Sequence, residues 1–142
     1  MEKRRGAVRR HAAGLTGALA AALALAATAA DPCELPPGRR LDTPRLALSY
    51  RTVPERIVAG ELFEVFFALC PKGGFKPVGE LKVDATMPEH RHGMNYRPSV
   101  ARIESAAGAR YRSEGWMFHM PGRWEIVFEV DGERIADSVS IE

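Results

Sequence analysis

From about residue 45 to the end of the chain, apolar residues return at every second position, and no useful stretch carries them at helical spacing. Leu46, Leu48 and Tyr50 form one such row, and Phe63, Val65, Phe67 and Leu69 a second. Leu81, Val83, Ala85 and Met87 form a third, with Lys82 and Asp84 between them. Trp124, Ile126, Phe128 and Val130 make the cleanest row, with Glu125 and Glu129 facing the other way. Successive side chains of a strand point to opposite faces, so this alternation marks strands with one face buried. Gly60, Lys72-Gly73-Gly74, Gly79, Gly108, Pro121-Gly122 and Asp131-Gly132 punctuate the rows, and Asp131-Gly132 reads as a tight hairpin. The pattern predicts strands over 45–53, 61–70, 79–87, 99–104, 110–118, 123–131 and 133–141. An all-β chain with about seven short strands favours an immunoglobulin-like β-sandwich, with a small barrel as the alternative.

The first thirty residues follow different rules. Lys3, Arg4, Arg5, Arg9 and Arg10 precede a run of Ala, Leu, Gly and Thr from Ala12 to Ala27, and small residues end at Ala30. This is the layout of a cleavable signal peptide over residues 1–30. The run is short and Ala-rich against the ~20 strongly apolar residues a membrane span needs, so an uncleaved anchor is the lesser alternative. Arg4-Arg5 leaves the twin-arginine route open beside the general one. The expected layout is then an irregular segment over 31–44, where Pro32, Pro36, Pro37 and Pro44 exclude regular helix, and one sandwich domain over 45–142. The protein is expected to be periplasmic or secreted.

Loss of the leader changes the charge. It removes five of the 20 basic residues and one of the 18 acidic ones, leaving 15 against 17, a net charge near −2. No basic stripe remains to suggest a nucleic-acid partner. Two cysteines remain, Cys33 and Cys70. In an oxidising compartment an isolated pair is most simply a disulfide. A pair of thiolate metal ligands is the alternative, although no histidine lies near either cysteine in sequence.

All methionines and histidines outside the leader fall into two short stretches, Met87-Pro88-Glu89-His90-Arg91-His92-Gly93-Met94 and Met117-Phe118-His119-Met120. Pro88 ends regular pairing, which predicts a loop over Glu89–Tyr96 at one end of the sandwich. His90 and His92 share a side of an extended segment, and Gly93 permits a sharp turn that brings Met94 back toward them. The same parity puts Met117 and His119 on one side, with Trp116, Phe118 and Met120 on the other. The candidate metal ligands are therefore His90, His92, Met94, Met117 and His119, with Met87 and Met120 behind them. Met87 continues an apolar row and reads first as core, as do Trp116 and Trp124. Glu89 reads first as a solvated loop acid.

Imidazole nitrogen beside thioether sulfur suits copper, and Cu(I) ahead of Cu(II). Zinc seldom uses thioethers, and calcium and magnesium want oxygen. The sequence lacks a nucleophile elbow, a Gly-rich phosphate loop and a Cys beside a His, so no enzyme is expected.

The run from Met87 onward resembles the YtkA-like/FixH-like group of exported or membrane-tethered bacterial domains. The residues that carry this are Met87-Pro88, His92-Gly93-Met94, Gly108 with Tyr111, and Phe118, Met120, Gly122 and Trp124 leading into a final strand pair. The resemblance covers roughly residues 45–141. It implies an immunoglobulin-like fold and a link to copper handling and oxidase assembly. The expected function is a periplasmic copper chaperone or transfer domain, whose partners are the copper ion and a membrane or periplasmic copper-acceptor protein. The alternative is a non-metal accessory module of an exported or membrane complex.

Overall fold

A computed structural model describes residues 33–103 and 109–142. The leader over residues 1–30 and the turn residue Gly108 lie outside the described residues. The described residues belong to one compact unit, Asp31–Glu142.

The described residues form nine strands and no helix: β1 (Arg39–Asp42), β2 (Leu46–Val53), β3 (Leu62–Pro71), β4 (Lys82–Met87), β5 (His92–Gly93), β6 (Ser99–Ile103), β7 (Ala109–Met117), β8 (Gly122–Val130) and β9 (Glu133–Ile141). One sheet runs β1-β2-β3-β7-β6 and the other β5-β4-β8-β9, with every pairing antiparallel. Without the two short strands β1 and β5, the order is first, second, fifth, fourth on one sheet and third, sixth, seventh on the other. That is the constant-type immunoglobulin arrangement. The seven strands expected from periodicity are the seven long strands of this sandwich.

Two short strands depart from expectation. Arg39–Asp42 lies in the segment expected to be irregular, and it pairs along β2 from Arg39↔Tyr50 to Asp42↔Ala47. Its four residues are mostly exposed, so it carries no apolar row to betray it. The loop after Met87 contains β5, which pairs Thr86↔Gly93 and Met87↔His92.

The inward rows of both sheets make one core. Leu48, Val65, Ala85, Trp116, Phe118, Trp124 and Ile126 are all 0% exposed. One cluster joins Tyr50, Phe67 and Phe128 in the middle of the sandwich, with ring centres 4.9 and 5.6 Å apart. The other joins Phe63, Trp116, Phe118 and Trp124 at one end. Near that end, the register between β3 and β7 shifts between Phe63 and Val65, beside Gly115, whose φ is 86°. The shift turns both Ser113 and Trp116 inward. Ser113 Oγ donates to the Ser99 carbonyl at 2.7 Å and accepts from Trp116 Nε1 at 2.8 Å, so this buried hydroxyl is satisfied.

The β8–β9 hairpin closes through Asp131 (φ 49°) and Gly132 (φ 77°). Positive φ at both central residues gives the turn whose twist matches the flanking strands. Cys33 and Cys70 are joined, with S–S 2.09 Å, which ties the N-terminal segment to the end of β3 and removes the alternative of two thiolate ligands. Across the flank opposite β6, Arg39 and the Tyr50 hydroxyl both donate to Asp137 of β9, linking the two sheets. Among the described residues no helix is long and apolar enough to cross a membrane.

Candidate functional site

The topology decides whether the two Met/His stretches can meet. Thr86 near the end of β4 pairs with Glu125 near the start of β8, and β7 ends at Met117, a few residues before β8 begins. The end of β4, the end of β7 and the start of β8 therefore lie at one end of the sandwich. Residues 118–121 carry the chain there from one sheet to the other.

The first stretch is a short hairpin. His90 N–H donates to the Met87 carbonyl at 3.1 Å, and Arg91 then takes φ 56° before β5 returns beside β4. The sharp turn expected at Gly93 falls at Arg91 instead. Gly93 serves a close approach, since a Cβ there would lie 3.1 Å from the Ala85 carbonyl oxygen. Met94 N–H donates to that same oxygen at 3.2 Å. His92 stands directly opposite Met87, so its side chain shares the inward face of the sheet. Met94, two residues on, packs partly buried against the core.

The second stretch is held on both sides of His119. The Phe118 carbonyl accepts from Gly60 N–H at 2.7 Å, and the Met120 carbonyl accepts from Trp124 Nε1 at 3.1 Å. Phe118 turns fully inward and stacks on Trp124 at 4.5 Å and 6°. These contacts fix the backbone that presents the His119 ring.

His92 and His119 meet beside the indole of Trp124, and His90 lies next to His92. The ring centres of His92 and His119 are 5.0 Å apart, and those of His90 and His92 5.8 Å. Both His92 and His119 stand steeply against Trp124, at 5.8 Å and 68° and at 5.3 Å and 84°. With metal–nitrogen bonds of about 2.0 Å, two imidazoles on one ion have ring centres roughly 4.5–6.4 Å apart. Both histidine spacings fall in that window. The Nδ1 atom of His119 is buried and, among the described residues, has no hydrogen-bond partner. Leaving such an atom unpaired costs about 1–3 kcal/mol, which a bound ligand recovers. His92 Nδ1 lies 3.2 Å from the Gly93 carbonyl oxygen. A proton on that nitrogen is donated to the carbonyl and leaves the Nε2 lone pair for a ligand.

The methionines divide. Met87 is 1% exposed and belongs to the core, with its methyl group packed against Gly122. Met94 and Met120 lie partly buried against the same core. Met117 is paired with Leu62 and sits next to inward-facing Trp116, so it lies on the outer face of the five-stranded sheet. The parity that groups Met117 with His119 is broken where the chain crosses between sheets. Glu89 is engaged at the rim by Arg123 at 3.2 Å, an exposed pair worth little. Among the described residues, no group of three or more His, Cys, Asp or Glu side chains is arranged to hold a metal ion.

Trp124 is the residue whose place at this site periodicity alone does not mark. As the first inward position of the strand that follows His119, it had a signal in its nearness to that histidine. Two surface grooves among the described residues, of about 740 and 960 Å³, run along the flanks of the sandwich and include none of the seven Met and His residues in their lining. They are broad troughs of mixed polarity, and the converging donors lie elsewhere. No family model, no curated protein and no solved structure matches the chain.

Proposed function

We propose that this chain is an exported copper-binding protein, related to the YtkA-like/FixH-like domains, that holds one Cu(I) and passes it to a membrane or periplasmic acceptor. The observation that carries the reading is the 5.0 Å between the ring centres of His92 and His119, which come from stretches far apart in sequence. His90 lies beside His92, and Met94 and Met120, both partly buried against the core, are the candidates for a thioether donor. Imidazole completed by thioether favours Cu(I). Such a set is neutral and lies at an accessible end of the domain, with His90 exposed, as a protein that must release its ion requires.

The test is a competition titration of the mature chain against a chromophoric Cu(I) chelator. One Cu(I) per chain is expected. The His90→Ala/His92→Ala double variant should bind at least ~10-fold more weakly, equivalent to about 1.4 kcal/mol. Unchanged affinity removes the reading. One observation favours the alternative of a non-metal accessory module, namely that Met87 is core and Met94 and Met120 pack on it. An ion that binds only the folded state must raise thermal stability, so the absence of any shift with copper in either oxidation state would select that alternative.

A further inference from the structure

We propose that His90 is the exchange ligand of this site: it takes Cu(I) from an incoming donor at the surface, hands it to His92 and His119, and takes it back on release. This inference rests on the copper reading above and deepens it.

The three histidines differ in how they are held. His92 and His119 are half-buried, and His90 is exposed. His92 belongs to β5, where its backbone is paired opposite Met87, and its ring stands against those of His119 and Trp124. His119 lies between two carbonyls, of Phe118 and Met120, that accept from Gly60 N–H and Trp124 Nε1. Moving either ring disturbs the packing at that end of the core. His90 lacks these supports. Its backbone N–H donates to the Met87 carbonyl at 3.1 Å, which fixes the turn. Its ring stands beside that of His92 alone among the aromatic rings of the described residues. Exposed side chains change rotamer in picoseconds to nanoseconds, far faster than packed elements rearrange. His90 is therefore the imidazole of the three that can turn between its neighbour and the solvent without disturbing the core.

That mobility suits transfer. Cu(I) accepts few soft ligands, so it has room to add a donor before it loses one. The added donor must reach the ion from the accessible side, and that side is the one His90 occupies. In the step, a bond from the incoming donor to Cu(I) forms and the bond from His90 breaks. The lone pair returns to the imidazole and the copper stays monovalent, so no electron, proton or further reagent is exchanged. The same ligand serves both directions. Its removal slows loading and release by the same factor and leaves their ratio, the affinity, in place.

The experiment loads and unloads the mature chain in stopped flow, with the chromophoric Cu(I) chelator bathocuproine disulfonate as donor and then as acceptor. His90→Ala should keep its Cu(I) affinity within about 3-fold, while both rates fall by about 10-fold or more. His92→Ala should instead lose affinity by about 10-fold or more. His90→Met restores a soft donor and should recover the rates, whereas His90→Asn, polar but hard, should not. A merely structural role in the turn would not separate those two variants. An affinity loss in His90→Ala as large as that in His92→Ala makes His90 a holding ligand, which overturns the inference and leaves the copper reading standing. Unchanged rates in both directions overturn it in the same way. Failure of the unmodified chain to bind Cu(I) overturns both.

Discussion

Gly122 opens β8 at the end of the crossing that presents His119, and its substitution by alanine tests how tightly that end is packed. Its φ is 129°, a conformation that side chains rarely adopt, and an added Cβ would run into the terminal methyl of Met87. The backbone strain costs on the order of 1–3 kcal/mol. Forcing the extra carbon into a packed core costs about 1–3 kcal/mol more. Gly122→Ala should therefore lose roughly 2–6 kcal/mol in urea unfolding, a large share of the 5–15 kcal/mol typical of a domain. Met87→Ala alone should lose about 2–5 kcal/mol through the cavity it leaves. The double variant separates the two causes. With the Met87 side chain gone, the new methyl enters the cavity and only the backbone strain remains. The pair should then be less destabilised than the sum of the singles by about 1–3 kcal/mol. Additivity within about 0.5 kcal/mol would refute the clash with Met87 and leave strain as the whole effect.

Two further outcomes follow from the supports of the fold. The disulfide closes a loop with sequence separation 37, which the chain-entropy model values at about 4 kcal/mol. Cys33→Ser/Cys70→Ser should lower the thermal midpoint by about 16 °C, taking ~4 °C per kcal/mol for a domain of this size, and a loss under about 5 °C would contradict that loop argument. At Asp137, burial raises the carboxyl, but hydrogen bonds from Arg39 and Tyr50 outweigh it and hold the group below its ordinary value. A carboxyl lowered on folding contributes stability above its unfolded value, and that contribution is lost as pH falls through the folded one. Asp137→Asn should thus lower the thermal midpoint at neutral pH and flatten its fall between about pH 5 and 2, whereas parallel midpoint curves for both chains would refute the role.

The long strands were legible because burial on one face imposes a period of two that nothing else in a chain mimics over eight or nine residues. Trp124, Ile126 and Phe128 of β8 are the plainest case, each at most 2% exposed. The Asp131-Gly132 hairpin was legible because few residue pairs tolerate two positive φ values. β1 was not, since an exposed edge strand of sequence Arg-Arg-Leu-Asp has no apolar row and sits among prolines. β5 was not, since two residues carry no period. At the candidate site, Trp116 and Phe118 follow the alternation and are fully buried. The alternation stops informing at residue 118, where the chain leaves one sheet for the other. From there His119 turns to Trp124, and Met117 is left on the outer face. That crossing is a property of topology, and topology is set by contacts between rows that the rows themselves do not name. The disulfide was legible from the number of cysteines and the compartment that the leader predicts, because an isolated pair in an oxidising compartment has few other fates.

The central claim is that His92 and His119 share one ion. A double-mutant cycle on Cu(I) affinity, comparing His92→Ala, His119→Ala and the double variant with the unmodified chain, tests it most directly. Ligands of one ion lose their contributions together, so the double variant should bind only slightly more weakly than either single, with a coupling of at least about 1 kcal/mol. Independent losses that simply add, or full affinity retained in His119→Ala, would contradict a site built across both stretches.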